Sequence, residues 1–135
     1  MQADFLDAHA RHWDDAESLL QAQRWANADH LYGMAAECGL KKLMLVFGMP
    51  YDTVKDRPTN FHDRVHANGV WARFQSYSNG RANYVLPAQD PFSNWDVSDR
   101  YAKQSDFDST RATEHKAGAQ LVCDLIKQAE RDGWI

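Results

Sequence analysis

The sequence predicts an all-α fold, a bundle of four to five helices with a long ordered connection between the third and last main helices. Three observations lead there. Apolar residues recur at helical spacing in four segments, no stretch alternates as a half-buried strand does, and residues 81–104 lack a period yet are rich in aromatics. The 135 residues read as one domain, 1–135, long enough to bury a core.

From Asp4 to about Gln23, Leu6, Ala10, Trp13, Ala16 and Leu20 recur at steps of three and four, an amphipathic helix. The second helix, from about Asn27 to Phe47, has Ala28, Tyr32, Ala35, Ala36, Gly39, Leu43, Val46 and Phe47 on one face, while Leu31, Met34, Cys38, Leu40 and Leu45 cover much of the rest. A helix apolar nearly all round is expected at the centre, and Gly33, Ala35, Ala36 and Gly39 let neighbours approach it closely. Asn27 is the expected start cap and Gly48 the end. Residues 49–59, with Pro50 and Pro58, read as a loop. Asn60 caps the expected third helix, which runs to about Tyr77 with Val65, Gly69, Val70, Ala72 and Phe74 inward and stops at Asn79-Gly80. The connection over 81–104 contains Pro87, Pro91, Tyr84, Phe92, Trp95 and Tyr101, with one short helix expected near 81–86. From Ser109 to Arg131, Ala112, Ala119, Val122, Ile126 and Ala129 make the last helix, closed by Asp132-Gly133.

Charge narrows the function. The net charge of −4 disfavours a protein that coats nucleic acid with its whole surface. Residues 1–40 carry 2 basic and 7 acidic side chains, residues 41–81 carry 7 and 3, and residues 82–135 carry 6 and 9, so the positive part is the middle. Such a strip suits a confined anion site. The longest run of large apolar residues, Leu43–Phe47, falls far short of the roughly 20 needed to span a membrane, and the opening Met-Gln-Ala-Asp-Phe-Leu-Asp lacks the pattern of a signal peptide. The expected location is the cytoplasm. Cys38 and Cys123 each sit inside an apolar helical pattern and read as buried free thiols. No Gly-rich phosphate loop, serine elbow or zinc signature occurs.

Asn27-Ala28-Asp29-His30-Leu31-Tyr32-Gly33-Met34-Ala35-Ala36-Glu37-Cys38-Gly39-Leu40-Lys41-Lys42-Leu43-Met44 resembles the small-residue-rich second helix of HEPN-type (higher eukaryote and prokaryote nucleotide-binding) domains, compact helical bundles of this size. The likeness covers most of the chain as a pattern: an Ala/Leu first helix, this central helix, a third helix opening with His62 and carrying Val70-Trp71, and an Ala-rich last helix after Trp95-Asp96-Val97-Ser98-Asp99-Arg100-Tyr101. The resemblance implies a module of an RNA- or nucleotide-directed stress or defence system, binding a nucleotide or partner in preference to catalysis. It implies no cofactor, a homodimer, and as partners RNA or a nucleotide, a cognate antitoxin or a nucleotidyltransferase.

The alternative it implies is a metal-independent, toxin-like endoribonuclease. Active members carry an Arg followed within half a dozen residues by His, matched here by Arg57-Pro58-Thr59-Asn60-Phe61-His62, with Pro58 where they have a polar residue. Arg111-Ala112-Thr113-Glu114-His115 lies nearer the family's usual place for the motif, but its spacing is one residue shorter. In that role His62 takes the proton of a ribose 2′-hydroxyl while Arg57 holds the phosphate bidentately as charge builds on it. A two-fold dimer supplies the second proton donor that the leaving oxygen needs.

Further candidates come from the residues themselves. His62 and His66, four apart on the expected third helix, project from one face and form a second alternative, a metal site completed by His30, Glu37 or His115. Glu37, amid apolar neighbours, needs a partner: Lys41 one turn on, snorkelling to the surface, or a buried network with Arg100, Tyr101 or a histidine. Trp95, Arg100 and Tyr101, with Phe92, form an aromatic and cationic cluster suited to stacking a base and binding its phosphate, with His66 as a further contact. The same aromatics also serve to pin the connection to the bundle. His9, His12 and His115 read as packing or surface residues.

Overall fold

The computed structural model describes all residues, Met1–Ile135. It contains four helices, α1 (Phe5–Gln21), α2 (Trp25–Val46), α3 (Ala67–Ser78) and α4 (Ser109–Asp132), and one small antiparallel hairpin, β1 (Tyr51–Asp52) and β2 (Arg57–Pro58). The all-α expectation holds, with the hairpin lying in the segment expected as loop. No helix is long and apolar enough to cross a membrane.

Asp4 starts α1 by accepting the Leu6 and Asp7 N–H groups, two donors that a helix start otherwise leaves unpaired. The helix lies antiparallel on α2: Tyr32 Oη donates to Glu17, Trp13 meets Tyr32 edge-on at 5.5 Å, and His9 Nδ1 lies 2.8 Å from the Ala35 carbonyl. Its buried residues are His9 and Ala16, whereas Ala10, expected inward, is exposed.

α2 is the central helix, buried along most of its length as its all-round apolar pattern requires. It begins two residues earlier than expected, at Trp25, and its flanking Arg24 makes no side-chain cap, so Asn27 sits inside the first turn. A β-carbon at Gly39 would lie 2.5 Å from Val122 Cγ1 and 2.7 Å from His9 Nδ1, so this glycine lets α1 and α4 close on the helix together. Gly48 ends the element at φ 106°, a conformation that favours glycine.

α3 starts six residues later than expected, at Ala67. Asn60 caps only a 3-10 turn, Phe61–Asp63, because the Arg64 guanidinium is drawn back to the carbonyls of Pro58 and Thr59, 2.9 and 3.0 Å away. Asp63, fully buried, then accepts from Arg73 Nε and Tyr77 Oη of α3, both at 2.5 Å. The delay rotates the helix face: Ala67, Val70, Trp71 and Phe74 are buried, and Ala72, expected inward, is exposed.

Both α3 and α4 run in the direction of α2. His66 before α3 reaches Glu37 in the middle of α2, and Phe74 packs on Phe47 at its end; His115 near the start of α4 reaches Asp29, and Trp134 beyond α4 meets Phe47. Parallel neighbours force the chain back along the bundle, and residues 79–108 make that return. Arg81 lies over the Phe47 and Trp134 rings, at 4.6 and 5.3 Å, and Tyr84 Oη donates to Asp132. These pulls leave no helix at 81–86; the regular pieces of the connection are 3-10 turns at Val97–Tyr101 and Gln104–Asp106. Phe92 packs on Trp71 of α3 and stacks on His115 of α4, and Trp95 lies on Gly33 of α2. Aromatics therefore do pin the connection. α4 ends with Gly133 at φ 81°, the left-handed cap its sequence calls for.

Candidate functional site

Two polar clusters grow from α2, each around one carboxylate. Asp29 is fully buried and accepts from His115 Nδ1 at 2.5 Å and from Arg111 Nε at 3.3 Å. His115 Nε2 lies 2.8 Å from Asn94 Oδ1, and the Arg111 guanidinium reaches the Asn94 carbonyl at 2.7 Å and Asp99 at 3.1 Å. Both ring nitrogens of His115 are thus occupied and the residue is 1% exposed. A histidine enclosed in this way has no free nitrogen for a substrate proton; the cluster locks the connection to α2 and α4.

The second cluster is half open. Glu37 Oε1 accepts from Lys41 Nζ at 2.7 Å, and His66 Nδ1 lies 3.3 Å from Oε2. Lys41 is buried rather than snorkelling, with its ammonium 5.9 Å from the centre of the Phe5 ring. The His66 side chain stays 52% exposed. His30, Glu37 and Lys41, spaced by seven and four residues, share one face of α2. The charges of His30 and Glu37 act on His12 of α1, and those of Arg100, Asp29, Asp99 and Glu37 act on His30. Burial lowers the pKa of both His12 and His30 below the ordinary imidazole value of 6.5, so both rings are neutral at pH 7. Three imidazoles, a carboxylate and two cations thus act on one another along this face of α2.

Of the residues expected from sequence, Glu37, Lys41 and His66 are joined directly here, and the Arg100 charge acts on His30 along the same helix face. Arg100 forms no ion pair; its guanidinium lies 4.9 Å over the ring of Tyr101, which is 78% exposed. Trp95 is elsewhere than a base-stacking role requires. It is 1% exposed and stacked on His30 at 4.9 Å, with its indole against Gly33. Arg57 on β2 and His62 in the 3-10 turn are both exposed and neither side chain makes a hydrogen bond within the protein. His62 and His66 do not share a helix face, because His62 lies in the turn and His66 immediately before α3. No three His, Cys, Asp or Glu side chains are arranged to hold a metal ion. The basic strip of the middle segment is partly spent inside the fold, with Lys41 on Glu37 and Arg73 on Asp63.

Sequence reasoning missed Asp29 and His12 as members of these clusters, and singled out His30 only as a candidate metal ligand. One signal was present: Arg111 and His115, four apart, place two donors on one face of α4, and two donors on one face call for an acceptor opposite. Cys38 and Cys123 are buried free thiols, each pushed up to about 12 by burial. Comparison with family models, with curated proteins and with solved structures returns no match.

Proposed function

We propose that the chain is a HEPN-like module that binds RNA or a nucleotide at the exposed Arg100–Tyr101 face beside His30, and that it acts in an RNA- or nucleotide-directed stress or defence system. The observation that carries this reading is the exposed Arg100–Tyr101 pair, with the Arg100 charge acting on His30. Arg100 has no acidic partner to give up, so a phosphate meets a guanidinium already free, and the exposed Tyr101 ring offers a stacking face to a base. Neutral His12 and His30, with half-open His66, add hydrogen-bonding groups of the kind that base edges and ribose hydroxyls engage. A homodimer, or a cognate antitoxin or nucleotidyltransferase partner, belongs to the same reading through the HEPN resemblance.

Fluorescence anisotropy with a short labelled oligoribonucleotide at low salt tests it. Tyr101→Ala should weaken binding by about 1–3 kcal/mol, the usual worth of one stacked base, and Arg100→Ala should weaken binding and flatten its salt dependence. Affinity unchanged in both variants removes the reading.

A nuclease is the second reading, favoured by the accessibility of Arg57 and His62: both are exposed and uncommitted, and the Arg64 clamp on Pro58 and Thr59 ties the hairpin that carries Arg57 to the turn that carries His62. It calls for RNA cleavage that persists in EDTA and disappears in His62→Ala. Cleavage retained in that variant rejects the pair.

A further inference from the structure

The largest cleft of the molecule, about 650 Å³, lies between the connection and α4, lined by Trp71, Pro87, Asp90, Asn94, Glu114 and Leu121 among others. Its walls are held from behind. Trp71 Nε1 donates to the Pro87 carbonyl at 2.9 Å, Asn94 is fixed on His115, and Pro91 sits so close to α4 that a β-carbon at Gly118 would lie 2.6 Å from its Cγ. The opening is therefore built into the packing, the condition for a site that needs no rearrangement.

Its charge has one sign. No Lys, Arg or His lines the cleft, and neither Asp90 nor Glu114 takes part in any ion pair of the protein. Asp90 accepts one hydrogen bond, from the Phe92 N–H to Oδ1 at 2.8 Å, which leaves Oδ2 without a protein partner. Burial raises the Asp90 carboxyl above the usual carboxylate range in spite of that bond and of the His115 charge, both of which act the other way. Trp71, Pro87, Pro91 and Leu121 supply apolar lining beside these acids.

We propose that this cleft binds an organic cation, a protonated amine or guanidinium carried on a flat or apolar body, with Asp90 and Glu114 meeting the charge and Pro87, Pro91 and Leu121 the body. A phosphate is repelled by the same carboxylates, so the site is distinct from the Arg100–Tyr101 face and does not rest on that reading. The cation can be a free amine or the side chain of a peptide.

Calorimetry together with the Trp71 indole N–H resonance reads the site directly, since that N–H is bonded to the cleft's own Pro87. The probes are tryptamine, its charge-reversed counterpart indole-3-propionate, and a capped Gly-Arg-Gly peptide. Tryptamine or the peptide should bind saturably and shift the Trp71 resonance, and Asp90→Asn with Glu114→Gln should weaken binding by about tenfold or more, the loss expected when charge-assisted contacts become neutral ones. Whichever cation binds tighter identifies the free or peptide-borne source. The proposal falls if indole-3-propionate binds as tightly as tryptamine, if the double variant binds undiminished, or if neither cation moves the Trp71 resonance. Both substitutions sit on groups without protein ion pairs, so folding should survive them, and Arg100→Ala should leave this binding unchanged.

Discussion

Helix α2 carries two carboxylates eight residues apart, and each is joined to a histidine and a cation. Asp29 holds His115 and Arg111; Glu37 holds His66 and Lys41. The residue types match, yet one trio is sealed and the other is not: Asp29 and His115 are 0% and 1% exposed, whereas the His66 side chain is 52% exposed. The difference lies in what covers them. Asn94 and Phe92 of the connection close over His115, while His66 stands at the edge of α3 with nothing stacked upon it. Buried polar groups must be fully satisfied to be tolerated, so a sealed trio becomes a brace and a half-open one keeps a group that can exchange partners.

Breaking the sealed trio should cost most. Asp29→Ala leaves His115 and Arg111 without their shared acceptor, and an uncompensated buried pair of this kind costs about 3–5 kcal/mol, to be read from urea unfolding; a loss under about 1 kcal/mol would show that the brace carries no weight. Next in size is Gly33→Ala, whose β-carbon would lie 2.2 Å from Trp95 Nε1. Overpacking of that order costs about 1–3 kcal/mol, and displacement of Trp95 from its buried place should red-shift the tryptophan emission.

Glu37→Gln sharpens the contrast. Lys41 keeps a hydrogen-bonding neighbour but loses its counter-charge, so the midpoint of thermal unfolding should fall, and by less than in Asp29→Ala. Equal falls would erase the distinction between the two trios. Acid gives a further test. His9, His12 and His30 have pKa values lowered by burial in the folded chain, so between those values and the ordinary 6.5 the unfolded state binds more protons than the folded one. Stability contributed by these rings is present above about pH 6.5 and is lost as the pH falls through the lowered values. Replacing His12 and His30 by Gln should flatten the slope of stability against pH below 6.5; an unchanged slope would mean that burial of these rings does not govern it. The smallest effect belongs to His66→Ala, about 0.5 kcal/mol or less, as for an exposed substitution, accompanied by weaker oligoribonucleotide binding in the anisotropy assay.

Much of the fold was legible because the residues that decide it are neighbours in the chain. The period of Ala112, Ala119, Val122, Ile126 and Ala129 marks α4, and Gly133 marks its end. The apolar circumference of Asn27–Phe47 marks the central helix. α3 was misjudged at its start because Asn60 has the form of a helix cap, and only the Arg64 clamp and the demand of Arg73 and Tyr77 on Asp63 turn the chain away from a helix there. The Glu37–Lys41 pair was legible from its spacing, while the His66 contact bridges 29 residues and was open only as one of several partners.

By itself, then, the sequence determined four helices, the innermost place of α2 and the pinning of the connection by its aromatics, since each follows from local periodicity and the need to hide apolar surface. Only the tertiary structure decided that the Asp29 trio would be sealed and the Glu37 trio left open at His66, that Trp95 would face Gly33 rather than a ligand, and that Asp90 and Glu114 would share a cleft. Those outcomes depend on solvent exclusion by groups as far as 86 residues away, as in the bond from His115 to Asp29, and no local pattern encodes which distant side chain will arrive to cover a charge.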